Sequence, residues 1–216
     1  MVFNLIALLF VLGFVAIGSK KGFVRELMGL IGLAAALIIT TGKLDFVAVE
    51  IGNSVNASPL VLAIIAYVLV LGLLYAIFKV AAKFLYKAIS VQKIGERDKY
   101  GGAIVGAIRG WLIVGAVIFV TILMPLPRSY YTLLDQSVLA TSAAKSIQII
   151  YDTSKPLHQK WPPFLDQMDN TLNLQEQNTA NQKKRKKSKE ALLRDMVTVR
   201  AARDRLAYFY GDAAEY

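Results

Sequence analysis

One arginine carries most of the chemistry this sequence offers. Arg109 is the only charged residue in the stretch 101–124. A guanidinium among apolar side chains needs a carboxylate, a polar cavity or a route to water. Counted from Gly101 at 1.5 Å per residue, it lies ~12 Å along a helix. Glu26, just before the uncharged stretch 27–42, is the best-placed partner, and Asp98 falls outside the apolar run. Two readings follow: Arg109 pairs with Glu26, or it snorkels to headgroups and acts as an anchor. Around it runs Gly102-x-x-x-Gly106-x-x-x-Gly110, two small-residue steps on one helical face that let a neighbouring backbone come close. Gly32 and Ala36 offer a counter-face in the second stretch. The same glycines also fit the general abundance of Gly in membrane helices.

Other chemistry is thinly supplied. The chain has no Cys, which excludes disulfides, thiol nucleophiles and Cys-based zinc sites. His158 is the one histidine and cannot build a histidine metal cluster. No Gly-x-Ser-x-Gly motif accompanies it. The expectation is no catalytic, cofactor or metal site, and no enzyme. The basic run 183–189 lacks the interleaved aromatics that stack on bases, which argues against nucleic acid. It fits acidic lipid, a cell-wall polymer or simply a solvated linker.

The elements that must position Arg109 are apolar. The 216 residues include 25 Lys+Arg and 15 Asp+Glu, are 56% hydrophobic and only 19% charged, and have a mean hydropathy of +0.48. Soluble domains carry charge on about a quarter of their residues. Stretches 2–18, 27–42 and 59–78 hold no charged residue, and 101–124 holds only Arg109. None of them has a polar face, so each must lie in a core or in lipid. A chain this apolar cannot cover four such helices with polar surface, and four transmembrane helices are predicted. The first stretch has no positive residues before it, with Lys20 and Lys21 after it instead, so it is expected to be retained as a helix and not cleaved as a signal peptide.

Charge in the connections sets the expected orientation. Links 19–26 and 79–100 hold Lys20, Lys21, Arg25, Lys79, Lys83, Lys87, Lys93, Arg97 and Lys99. Link 43–58 holds only Lys43, and Arg128 is the only basic residue soon after Met124. Basic short loops stay cytoplasmic, which puts both chain ends outside. Lys79, Lys83 and Lys87 share one helical face, so the third helix is expected to continue into the inner interface. There the lysines face lipid, either as a lipid site or as ordinary positive-inside charge.

Beyond Met124 the pattern breaks. Pro125 and Pro127 stop the fourth helix. An amphipathic helix is predicted over 137–151, with Val138, Leu139, Ala143, Ile147, Ile150 and Tyr151 as its stripe. Trp161-Pro162-Pro163-Phe164 interrupts it, 169–189 is expected to be a polar or disordered linker, and 188–210 a last helix stopped at Gly211. The expected fold is all-α: a four-transmembrane-helix protein with a partly disordered, partly helical C-terminal tail. Its divisions are a transmembrane module 1–127, an amphipathic and Pro-rich segment 128–168, a basic linker 169–189 and a helical tail 190–216.

Two sequence blocks resemble a known family. Lys21-Gly22-Phe23-Val24-Arg25-Glu26 is similar to the R-G-F-x-R-E segment of the colicin V production protein (CvpA) family. Asp98-Lys99-x-x-Gly102-x-x-x-Gly106-x-x-Arg109-Gly110-x-Leu112-Ile113-Val114 resembles that family's D-R-x-x-G-x-x-x-G-x-x-R-G-x-L-I-V block with its intervals intact. Ser137-Val138-Leu139 resembles a third motif. Lys21 and Lys99 stand where the family has arginine, which keeps charge and loses the planar fork. The resemblance covers about 1–151 and makes Gly22, Phe23, Arg25, Glu26 and Asp98 motif residues.

The resemblance implies a multi-pass bacterial inner-membrane protein linked to production or export of the toxin colicin V, or to envelope homeostasis. Some relatives carry a trypsin-like protease after the fourth helix, and the tail here has none of its motifs. Expected partners are the lipid bilayer and either further copies of the chain or other envelope proteins. The alternative is a small oligomeric channel or transporter in which Arg109 lines an anion path.

Overall fold

The computed structural model describes residues 2–55, 57–88, 95–183 and 189–211, with side chains at all of these except 85–88, 174–183, 189, 191 and 192. Among the described residues all regular secondary structure is helical. Its α-helices are α1 Val2–Lys21, α2 Phe23–Ser54, α3 Pro59–Ala88, α4 Glu96–Leu123, α5 Arg128–Asp135, α6 Val138–Thr153, α7 Phe164–Lys183 and α8 Lys189–Tyr210. A 3-10 turn occupies Lys155–Leu157. The first four helices are long and apolar enough to cross a membrane, as the sequence predicts. The 20 residues of α1 span ~30 Å, the thickness of a hydrocarbon core.

Local signals account for the helix ends. Ser58 Oγ accepts the Val61 N–H at 3.4 Å, and Pro59 takes the first helical position of α3, where its missing N–H costs nothing. Glu96 and Asp98 sit in the first turn of α4, at the positive end of the helix dipole. Past Gly42, α2 runs through most of the expected link 43–58. No Gly or Pro stands between 43 and 51, and Leu44 and Ala48 find burial there.

The chain packs as two compact units. The first comprises Met1–Leu37, Leu71–Ile118 and Ser129–Ile147. In it, α1 turns outward a nearly continuous apolar surface, with Leu5, Leu9 and Leu12 all at least half exposed. Asn4 anchors the start of α6: its Oδ1 accepts from Ser137 Oγ at 2.6 Å and from the Leu139 N–H at 3.0 Å. Gly115 lies so close to the Ala143 carbonyl that a Cβ would collide with it.

The second unit comprises Ile38–Val70, Phe119–Arg128 and Gln148–Tyr216. Phe119 centres its core, with ring centroids 4.7 Å from Tyr67, 5.6 Å from Phe164 and 6.0 Å from Tyr210. Trp161 lies against Gly42, where any Cβ would strike its ring. Arg205 reaches from α8 to the end of α4, donating from Nε to the Ile122 carbonyl at 2.7 Å and from a terminal nitrogen to the Leu123 carbonyl at 3.2 Å. These carbonyls have no helical partner because the prolines stop the ladder, and a guanidinium suits a helix C-terminus.

The region after Met124 differs from expectation in three places. Helix α5 has no counterpart among the expected elements; it buries Leu134. The amphipathic segment forms α6, but its core face is Ala140, Ala143, Ala144, Ile147 and Tyr151, while Val138 is 71% exposed. Small alanines carry this face because α6 lies close to Gly115. Helix also continues through Lys183, where the composition suggests a linker from Asp169. Phe164, Met168 and Leu172 are buried, Asp169 pairs with Arg203 of α8 at 2.9 Å, and no Gly or Pro interrupts 164–183. Helix α8 falls where the sequence places it, and the Gly211 N–H closes it on the Ala207 carbonyl at 2.8 Å. The Lys87 side chain and the basic residues 184–188 lie outside the described residues.

Candidate functional site

The site is built at the elbow between α1 and α2, in the first unit. Gly22 joins the two helices with φ +81°, a conformation that side chains other than hydrogen rarely tolerate. Its N–H bonds to the Gly18 carbonyl at 3.0 Å, closing α1, and Asp98 Oδ1 accepts the Phe23 N–H at 2.9 Å, capping α2 from the first turn of α4. A Cβ on Gly22 would collide with the Asp98 carboxylate. The two family-like blocks, distant in sequence, therefore meet at one junction.

The glycine face of α4 holds the junction closed. A Cβ on Gly102 would run into the Gly18 carbonyl, one on Gly106 would sit 2.5 Å from the Phe14 carbonyl, and one on Gly110 2.8 Å from Phe14 Cβ. Gly101 lies under Phe23. The close neighbour is thus α1. Of the expected counter-face, Gly32 faces Phe78 of α3 instead, and Ala36 is fully buried. The first apolar stretch gives no sign in sequence of which of its faces will meet α4.

Arg109 follows Gly106 within one turn of α4, and the structure brings it to Glu26. One terminal nitrogen of Arg109 is 2.5 Å from Glu26 Oε2, with Arg109 7% and Glu26 1% exposed. The other terminal nitrogen donates to the Tyr75 hydroxyl of α3. The guanidinium carbon lies 5.5 Å from the Tyr75 ring centroid and 5.9 Å from that of Phe14, a geometry in which a cation gains from the ring faces. Gly29 makes the room, since a Cβ there would stand 3.0 Å from the guanidinium. Four helices thus contribute to one charge. Tyr75, Phe14 and Gly29 are not legible as site residues in the sequence. A tyrosine in an apolar span is a signal, because a buried hydroxyl seeks a partner. It does not single out Tyr75: Tyr67 lies in the same span, and its hydroxyl has no hydrogen-bond partner among the described residues.

The elbow opens onto a cavity of about 290 Å³. Lys21, Arg25, Lys79 and Lys83 line it together with Glu26 and Arg109. Lys21 Nζ is 3.9 Å from Glu26 Oε1. Lys79 and Lys83 stand one turn apart on α3 and are exposed. Of the three lysines of the expected basic face, these two have described side chains.

His158 belongs to the second unit and is engaged in local structure. Its Nε2 lies 2.9 Å from Ser154 Oγ and 3.1 Å from the Tyr151 carbonyl. Ser154 Oγ itself donates to the Tyr151 carbonyl at 2.7 Å, so its proton points away from the imidazole. The ring stacks on Trp161 at 4.9 Å, and Nδ1 has no hydrogen-bond partner among the described residues. A nucleophilic pair needs the base to take the hydroxyl proton and a third group to orient the base. This arrangement supplies neither.

The sequence profile of the family described as colicin V production protein matches residues 3–148, which include the elbow, all four long helices and the start of α6. No curated protein and no solved structure matches the chain. The chain belongs to the colicin V production protein (CvpA) family and is a multi-pass membrane protein with four candidate spans.

Proposed function

We propose that this protein is a non-catalytic component of a bacterial inner membrane that supports toxin production and export or envelope homeostasis. The observation that carries this reading is the state of Arg109: its charge is taken up by Glu26 and Tyr75 and walled by Phe14 and Gly29. A cation so engaged holds helices together, and the elbow is then the packing centre of the membrane module, with Gly102, Gly106 and Gly110 bringing α1 close. The basic links face the cytoplasm and both chain ends face outward. The C-terminal helices form an interaction arm on the outer side, in keeping with their packing on the end of α4 and on the second half of α2. Further copies of the chain or other envelope proteins are its partners.

The test is complementation of a strain lacking the gene, scored for colicin V secretion and for sensitivity to envelope stress. Glu26→Gln and Arg109→Gln are each expected to lose complementation, with the loss traced to reduced protein in the membrane. Normal protein levels with full complementation by both variants would overturn the proposal. A second reading draws on the cavity beside Arg109: an oligomeric channel with Arg109 on an anion path. It requires anion flux in liposomes that falls in Arg109→Gln and survives in Arg109→Lys.

A further inference from the structure

The ion pair does not explain the cavity beside it. Lys21, Arg25, Lys79, Lys83 and Arg109 line about 290 Å³ against the single carboxylate of Glu26. That carboxylate is 1% exposed and already holds Arg109. Basic side chains therefore far outnumber acidic ones around one small space. Like charges lining one cavity repel, and an anion placed among them relieves that repulsion. Arg109 Nε, in a side chain that is almost fully buried, makes no hydrogen bond among the described residues. Lys79 and Lys83 make no ion pair among them. The arrangement suits an anion with several acceptor oxygens.

The surroundings distinguish a free anion from an amphiphile. Met28 and Ala82 give the cavity an apolar part. On α3, Val80 and Phe84 are 55% and 71% exposed, beside the two lysines. Both lie in the span Pro59–Phe84, where such surface meets acyl chains. The volume is at the small end for ligand sites, which fits a headgroup and not a whole lipid. Basic pockets between membrane helices are a recurrent solution for phosphate headgroups.

We infer that this cavity binds the phosphate of an anionic phospholipid headgroup, held by Lys79 and Lys83 on one side and Lys21 and Arg25 on the other, with the acyl chains along the apolar face of α3. The inference rests on the four-span membrane architecture and is independent of the toxin or envelope role and of which leaflet the site faces.

The full chain, purified in detergent and exchanged into phosphatidylcholine nanodiscs with or without phosphatidylglycerol, is studied by native mass spectrometry after gentle release. Wild type should retain phosphatidylglycerol against a phosphatidylcholine excess. Lys79→Gln/Lys83→Gln should weaken that retention by roughly 30-fold, at about one surface lysine's worth of attraction for each. Both residues are exposed, so the variant should keep its helical circular dichroism. The control Lys20→Gln/Lys99→Gln removes two exposed charges that do not line the cavity, and should change retention little. Equal loss in both pairs would overturn the site in favour of diffuse surface attraction. Failure of wild type to retain phosphatidylglycerol would also overturn it. In a third arm, inorganic phosphate is added to phosphatidylcholine nanodiscs. Binding that depends on Lys79 and Lys83 there, without phosphatidylglycerol retention, would replace the lipid with a free oxyanion.

Discussion

Substituting Glu26 should be among the most damaging single changes in the membrane module. Glu26 and Arg109 are both buried, and their closest atoms are 2.5 Å apart. Charge centres about 4 Å apart attract by about 4 kcal/mol at an effective dielectric of 20. Removing one member of a buried pair costs about 3–5 kcal/mol, because the survivor is left without a counter-charge. Glu26→Gln and Arg109→Met should each shift the folding equilibrium by about two to three and a half decades. Glu26→Gln/Arg109→Met leaves no uncompensated charge, and should be more stable than either single variant. Arg109→Lys should fall between wild type and Arg109→Met, since an ammonium can meet Glu26 but lacks the fork that also reaches Tyr75. The assay is reversible unfolding in mixed micelles titrated with sodium dodecyl sulfate, followed by helical circular dichroism. Single-variant costs that simply add in the double variant, within about 0.5 kcal/mol, would refute the coupling. A charge swap, Glu26→Arg/Arg109→Glu, that recovers nothing lost in the single changes would count against it as well.

The same titration checks three further expectations. Gly22→Ala should cost more than Asp98→Ala: the first meets both the φ of +81° and the Asp98 carboxylate, the second removes one cap worth about 1 kcal/mol. Gly106→Leu should prevent stable packing, since its Cβ alone would stand 2.5 Å from the Phe14 carbonyl, whereas Gly13→Ala, with nothing within 4 Å, should gain up to about 1 kcal/mol of helix propensity. In the second unit, burial holds the Tyr210 hydroxyl well above the usual phenol range and it has no hydrogen-bond partner among the described residues. Tyr210→Phe should therefore be neutral or stabilising, while Phe119→Ala, which empties the centre of that core, should cost about 3–5 kcal/mol.

Much of this is legible in the sequence because lipid demands so much of a helix. Four stretches without a polar face can only be buried or membrane-spanning. An arginine inside one of them requires a partner, and Glu26 is the carboxylate nearest the right depth. Depth along a helix is readable from residue count, but rotation about its axis is not. Gly102, Gly106 and Gly110 are therefore recognisable as a packing face, while their neighbour is misplaced onto α2. The same blindness hides Phe14, Gly29 and Tyr75, whose apolar bodies look like any other residue of a span. The tail misleads for another reason. Its helix α7 concentrates buried side chains at Phe164, Met168 and Leu172 and is polar thereafter, so periodicity fades within a helix whose partners, Phe119 and Tyr210, lie far away in the chain. Arg205 counts as one more basic residue in the sequence; its role on the α4 carbonyls depends on a helix end that only the fold brings near.

Sidedness tests the proposed arrangement most directly, and the absence of native cysteine makes the experiment simple. Single cysteines are placed at exposed Lys20, Asn53, Arg97 and Asp204 and treated with a membrane-impermeant maleimide in spheroplasts. Asn53→Cys and Asp204→Cys should label from outside, while Lys20→Cys and Arg97→Cys should label only after permeabilisation. The opposite pattern would invert the orientation, and outside labelling of both Lys20→Cys and Asp204→Cys would contradict a four-span chain with its elbow on the cytoplasmic side.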